Sequence, residues 1–221
     1  MNGATPEREQ TAGEELANAL THGVGLLLSV TALTLMVVFA AFRRDAWIIV
    51  ACSVYGATMI LLYLASTFYH GARPGRAKAV WNILDHGAIY LLVAGTYTPF
   101  TLGPLRNAGG WGWGLFGAIW GLALAGIVFQ SFHIHRFRVL SVLSYLGMGW
   151  LAAAAIRPLW RHLGPWGVFW IGLGGVFYSF GIAFYLWKRL RFAHAIWHLF
   201  VLAGSLAHFL GVLLHVVLAT P

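Results

Sequence analysis

Charge is scarce in this chain. Lys, Arg, Asp and Glu together make up 9% of its 221 residues, against roughly a quarter in an average soluble domain, so an ordinary water-facing globular surface is excluded. Acidic residues are rarer still: Glu7, Glu9, Glu14, Glu15, Asp45 and Asp85 are all there are, and none follows Asp85. A single cysteine, Cys52, excludes an internal disulfide and, within an apolar run, reads as packing. The two lysines, Lys78 and Lys188, both sit in connections. A retinal protein is thereby excluded, since it needs a Schiff-base lysine inside its last helix.

What fills the chain instead is hydrophobic sequence, 60% of the total. Apolar runs cover roughly 16–42, 47–70, 81–103, 111–132, 138–156, 166–187 and 192–219. Each reaches about the 20 residues that a helix needs to cross ~30 Å of hydrocarbon. The expected fold is therefore an all-α integral membrane bundle of seven transmembrane helices. Between the runs lie short connections such as "RRDA", "GARPGRAK", "GPLRNAGG" and "RPLWRHLGP", rich in loop punctuation. No connection is long enough for a soluble domain, so the expected organisation is a polar head, residues 1–15, followed by one transmembrane domain, residues 16–221. The first run is longer than a signal-peptide core and reads as an uncleaved anchor.

The net charge of +8 does not point to nucleic acid, because the basic residues are strung across every loop instead of forming one patch. Topology accounts for them. With a cytoplasmic N-terminus the inner segments hold Arg8, Arg73, Arg76, Lys78, Arg136, Arg138, Lys188, Arg189 and Arg191, against Arg43, Arg44, Arg106, Arg157 and Arg161 outside. The positive-inside rule favours that orientation, with the C-terminus outside.

In this arrangement His70, Asp85, His194 and His198, from three different helices, fall at one level near the inner boundary. His194 and His198 are i and i+4, projecting from one helix face with Cβ atoms ~5–6 Å apart, close enough to chelate one ion. His70 supplies a third nitrogen, and three histidines with one exchangeable position make a catalytic-type Zn²⁺ site. Asp85 is the one carboxylate clearly inside an expected helix. Its burial costs several kcal/mol unless compensated; a dication and its water compensate it, and the carboxylate can act as general base. Ser66, one turn before His70, can donate to an oxyanion or to the metal's water. His86, His208 and His215 read as satisfied packing residues, with His208 ~15 Å from His198 along the last helix. His133, His135 and His162 fall at loops or helix ends. In the first helix, Glu15, Asn18 and His22 lie within ~60° of one another at 3.6 residues per turn. The stripe either walls the cavity and orients a ligand, or Glu15 simply caps the helix start.

The order S-x-x-x-H at Ser66 and His70, N-x-x-D-H-G at Asn82 to Gly87 and H-x-x-x-H at His194 and His198 resembles the hemolysin III family. "EELANALTHGVGLLLSV" and "GTYTPF" also look like its pattern. That family belongs with the progestin and adipoQ receptors and is distantly similar to the alkaline ceramidases. The resemblance implies seven helices, zinc on His70, His194 and His198, Asp85 acting through the zinc-bound water, and Ser66 beside it. It also implies a hydrolase of lipid amides with a ceramide-like or fatty-acid partner, a role in membrane homeostasis or cytolysis, and a bacterial cytoplasmic membrane. A metal-bound receptor or sensor without turnover fits the same ligands. A bis-histidine haem protein leaves the i, i+4 partner and Asp85 unexplained. A pore needs a charged or hydrated lumen that these helices lack.

Overall fold

A computed structural model of the protein describes residues 10–133 and 138–219. Glu7, Arg8 and Glu9, and His135 and Arg136, lie outside the described residues. Among the described residues there is no strand, and the elements are α1 (Ala12–Phe42), α2 (Ala46–Gly71), α3 (Arg76–Leu102), α4 (Trp111–His133), α5 (Arg138–Trp150), α6 (Ile156–Leu186) and α7 (Ala193–Val212). A 3₁₀ segment, Leu151–Ala155, joins α5 to α6, and a π-helical turn, Leu213–Val217, extends α7. Five stretches are long and apolar enough to cross a membrane. The protein is an all-helical integral membrane protein.

The pattern of burial on α1 is that of a membrane helix. Its inward stripe is Glu14, Asn18, His22, Gly25, Ser29, Ala32, Met36 and Ala40, small or polar at helical spacing except for Met36. Its outward face carries Leu16, Leu20, Leu27 and Phe42, the last 77% exposed. Lipid is as apolar as leucine, so helices gain by packing small residues against one another and leaving leucines outside. Gly25 is one such contact: a Cβ there would lie 2.6 Å from the Tyr63 ring of α2. Gly95 of α3 plays the same part against Thr58 of α2.

Three boundaries differ from the sequence expectation, and in one of them α3 begins at Arg76 and not at residue 81, so that Lys78 stands in its first turn and not in a connection. The first helix begins at Ala12 and not at residue 16, because Thr11 and Glu14 form a reciprocal capping box: the Glu14 amide donates to Thr11 Oγ1 at 3.3 Å and the Thr11 amide to Glu14 Oε2 at 2.9 Å. Glu14 and Glu15 are therefore inside a helix as well as Asp85. "RPLWRHLGP", expected as a connection, is mostly helix, since Pro158 stands in the first turn of α6 where a proline has no hydrogen bond to lose. The chain turns instead at Gly164, whose φ of 69° is left-handed, a conformation glycine adopts without steric cost. Pro165 then restarts the helix.

Tyr97 of "GTYTPF" explains the 3₁₀ segment. Its hydroxyl lies 2.9 Å from the Met148 carbonyl and 2.7 Å from that of Gly149, and it accepts the Ala152 amide at 2.7 Å. One phenol thus serves backbone groups at the point where α5 tightens. At the end of the bundle that holds the start of α2, Asp45 accepts from the Trp47 amide at 2.9 Å and from both Arg106 guanidinium nitrogens at 3.2 Å. Partial burial pushes the Asp45 carboxyl up, but Arg106 and the Trp47 amide outweigh it and hold it below the usual range.

Candidate metal centre

Two helices deliver the histidines. The last turn of α2 carries His70 and the first turns of α7 carry His194 and His198. Each offers a ring nitrogen within 4.8 Å of the others, and the ring centroids stand 4.9, 5.1 and 4.5 Å apart for the His70–His194, His70–His198 and His194–His198 pairs.

The neighbours of these rings decide which nitrogens are free. His70 Nδ1 lies 2.6 Å from Glu15 Oε2, close enough that it carries the proton and donates it. The lone pair is then on Nε2, which is buried without a protein partner. Lys78 Nζ donates to the other Glu15 oxygen at 2.8 Å, fixing the carboxylate. His198 Nδ1 stands 3.2 Å from the Asn18 carbonyl and 3.1 Å from Thr21 Oγ1, both able to accept its proton. This too turns Nε2 into the lone-pair nitrogen. His194 Nδ1 is buried with no partner. Orphaned imidazole nitrogens converging in a buried site are costly alone and are satisfied by a cation. The donor set, neutral nitrogens held by a carboxylate and a carbonyl behind them, fits a borderline metal such as zinc.

The sequence left Glu15 open between capping and lining the site. Thr11 and Glu14 take the cap, and Glu15 bonds His70. Asn18, fully buried, offers its carbonyl to His198 and its side-chain amide to Gln10 at 2.5 Å. His22 stacks on His198 with centroids 3.4 Å apart and meets Tyr63 edge-on, and neither of its ring nitrogens has a partner.

Ser66 and Asp85 line a cavity beside the cluster, together with His22, His86, His194 and His198. Both are buried, at 1% and 8% exposure. The Ser66 hydroxyl approaches Asp85 without closing a hydrogen bond of good geometry, so it remains available. Beyond these groups the wall is apolar and aromatic, with Ile89, Val93, Tyr145, Ile182 and Trp197. His86 sits on that wall while its Nδ1 bonds the Asn82 carbonyl at 2.9 Å. His208 is apart from the cluster, packed against Gly174 in a second cavity with Thr96 and Tyr97.

Glu14, Thr21 and Lys78 were not singled out from the sequence. Glu14 Oε1 accepts the Phe192 amide at 2.9 Å, tying the start of α1 to the start of α7. The T-x-x-E signature at Thr11 was there to be read. Thr21 and Lys78 gave no local signal, since each acts on a residue brought near only by packing.

Fold and site together define a class: an integral membrane helical bundle with a three-histidine cluster at one end, His70 and His198 buried and His194 half-buried, suited to a metal ion. Sequence comparison gives the family. The family described as Haemolysin-III related matches residues 10–209. The hemolysin-3 homolog of Bacillus subtilis (strain 168) is 50% identical over 207 residues, covering 94% of this chain and 96% of its own. Hemolysin-3 of Bacillus cereus is 48% identical over 207 residues, 94% of each. The monocyte to macrophage differentiation factor of Homo sapiens is 26% identical over 212 residues, 91% of this chain and 84% of its own. This chain belongs to the haemolysin-III-related family.

Proposed function

We propose that the protein is a zinc-dependent hydrolase of lipid amides, one transmembrane domain that crosses the bacterial cytoplasmic membrane seven times with its N-terminus and histidine cluster at the cytoplasmic side. The observation that carries this reading is the convergence of two orphaned imidazole nitrogens, on His70 and His194, beside a cavity whose remaining polar groups include Asp85 and Ser66. An apolar cavity with a few converging polar groups suits a substrate with a hydrocarbon chain and one reactive polar bond.

His70, His194 and His198 would hold the ion. Zinc bound there supplies a Lewis acid and lowers the pKa of a bound water. Asp85 accepts the proton of the attacking water as general base. Ser66 donates its hydroxyl hydrogen to the carbonyl oxygen as negative charge develops on it. Glu15 and the Asn18 carbonyl keep the His70 and His198 rings in one tautomer. The aromatic wall holds the chain and excludes bulk water. The test is release of free fatty acid from a panel of N-acyl lipids by purified protein in nanodiscs. Release that a chelator stops is expected; none from any lipid at full zinc occupancy overturns the enzyme reading. The protein would then be a receptor or sensor in which zinc staples α2 to α7.

Seven crossings require α3 (Arg76–Leu102), which carries Asp85 and is the least apolar of the helices, beside the five apolar stretches taken as six: the stretch Val139–Leu186 counts twice, because its 48 residues contain the turn at Gly164. As one helix it would run ~72 Å, more than twice the hydrocarbon thickness. The orientation is supported by the excess of basic residues, nine to five, on the side of the histidine cluster. A C-terminal fusion should therefore be active with a reporter that works only outside the cytoplasm. Activity of a cytoplasmic reporter at that position would reverse the placement.

Glu15 yields a further expectation. Glu15→Gln keeps the shape but removes the charge that fixes the His70 tautomer and pairs with Lys78. Metal affinity, measured by competition with a chelator, should fall roughly 10–100-fold. Affinity equal to that of the unaltered protein would leave Glu15 with no part in the site.

A further inference from the structure

The end of the bundle opposite the histidine cluster carries Arg43, Arg44, Arg106, Arg157 and Arg161 but, among the described residues, one carboxylate, Asp45. Arg106 takes that carboxylate with both of its outer nitrogens, and Arg43 reaches the carbonyls of Val217 and Ala219. Arg157 and Arg161 are different. They stand i and i+4 on α6, so both guanidinium groups project from one face, and neither forms an ion pair among the described residues.

Both line an open cavity of about 580 Å³ together with His162, Gly109, Gly110 and Trp111. The opposite wall of this cavity is the start of α4. Amides in the first turn of a helix have no partner within the helix and favour anions. Gly109, at a φ of 64°, turns the preceding loop into that wall. The cavity therefore presents two guanidinium groups, an imidazole and a helix start, with no acid among its described lining residues. Around it Trp111, Trp160 and Trp166 are 46%, 54% and 67% exposed, the placement of indoles at the headgroup level of a bilayer.

We propose that this cavity binds the phosphate of an anionic membrane phospholipid from the leaflet at that end, with Arg157 and Arg161 on the phosphate oxygens and the lipid chains running down the apolar outer face of the helices. The charge is complementary, guanidinium forks match phosphate geometry, and the indole ring of the site sets its depth at the boundary where a phospholipid carries its phosphate. The site is independent of the histidine cluster and of whatever reaction occurs there.

The experiment uses full-length protein reconstituted in nanodiscs of equal phosphatidylglycerol and phosphatidylcholine, extracted in mild detergent, with retained lipid counted by native mass spectrometry. The unaltered protein should keep phosphatidylglycerol in preference to phosphatidylcholine. Arg157→Gln with Arg161→Gln should reduce that preference roughly 30-fold, and each single change roughly fivefold, from about 1 kcal/mol per basic residue. Arg189→Gln with Arg191→Gln, at the other end, should leave it unchanged, and the thermal midpoint of each variant reports that it has folded. Equal retention of the two lipids by the unaltered protein overturns the proposal, as does a preference that survives in the Arg157 and Arg161 variants. Displacement of the lipid by millimolar inorganic phosphate would make this a free-phosphate site and overturns it as well.

Discussion

His198→Ala is expected to abolish stoichiometric zinc binding and to remove the metal-dependent part of the protein's thermal stability. His198 is buried at the centre of the cluster: its Nδ1 is held by Asn18 and Thr21, His22 is stacked on its face, and His70 and His194 face it within 5.1 Å. Two remaining histidines bind an ion far more weakly than three, and an ion that binds only the folded state stabilises it by about 4 kcal/mol at a free concentration 1,000 times Kd. His194→Ala should act alike, because α7 would keep only one ligand. Loss of the imidazole also leaves a packing void beside His22, so the decisive measurement is the difference in Tm with and without zinc, not Tm itself. That difference should vanish in both variants and persist in His208→Ala, which removes a buried ring packed on Gly174 away from the cluster. Metal content unchanged in both His194→Ala and His198→Ala would sink the assignment of the site.

How much of this was legible in the sequence depends on the range over which each residue acts. His70, Asp85, His194 and His198 could be brought to one level because helical rise and run length fix depth in a bilayer. The i, i+4 spacing of His194 and His198 is local geometry and needs no fold at all. The stack of His22 on His198 and the hold of Thr21 on the same ring depend on the contact of α1 with α7, far apart in the chain. Nothing near Thr21 announces its role. The segment around Pro158 was misread for a different reason: proline, glycine and basic residues signal a connection by composition, yet Pro158 fits a first helical turn, and only Gly164 leaves the helical region. Glu15 was undecided because a carboxylate near a helix start serves the helix dipole equally well, and the choice falls to Thr11, whose capping box with Glu14 leaves Glu15 free for His70.

Asp85→Asn is expected to retain zinc, retain bound lipid and reduce hydrolysis of a ceramide-like amide by roughly 10²-fold or more, the loss typical of a removed general base. Asparagine preserves the volume of the side chain and its reach into the cavity but cannot take up a proton. Asp85 lies on the cavity wall and is not one of the three clustered ligands, so the variant separates chemistry from metal binding in a way that no histidine change can. Ser66→Ala should cost less metal affinity than any ligand and should lower kcat by about 10²-fold or somewhat less, as expected when one oxyanion donor is removed. Ser66 is buried and its hydroxyl has no partner of good geometry in the protein, so its deletion breaks no strong hydrogen bond and should leave Tm nearly unchanged. The readout is free fatty acid released from N-acyl lipids in nanodiscs, with zinc per chain measured on the same samples. Loss of zinc from Asp85→Asn would move the carboxylate into the coordination sphere and away from proton transfer. Full activity in Asp85→Asn would remove it from the mechanism, and the proton would have to leave through another group on the same wall, of which His86 and His22 are the imidazoles outside the three clustered ligands.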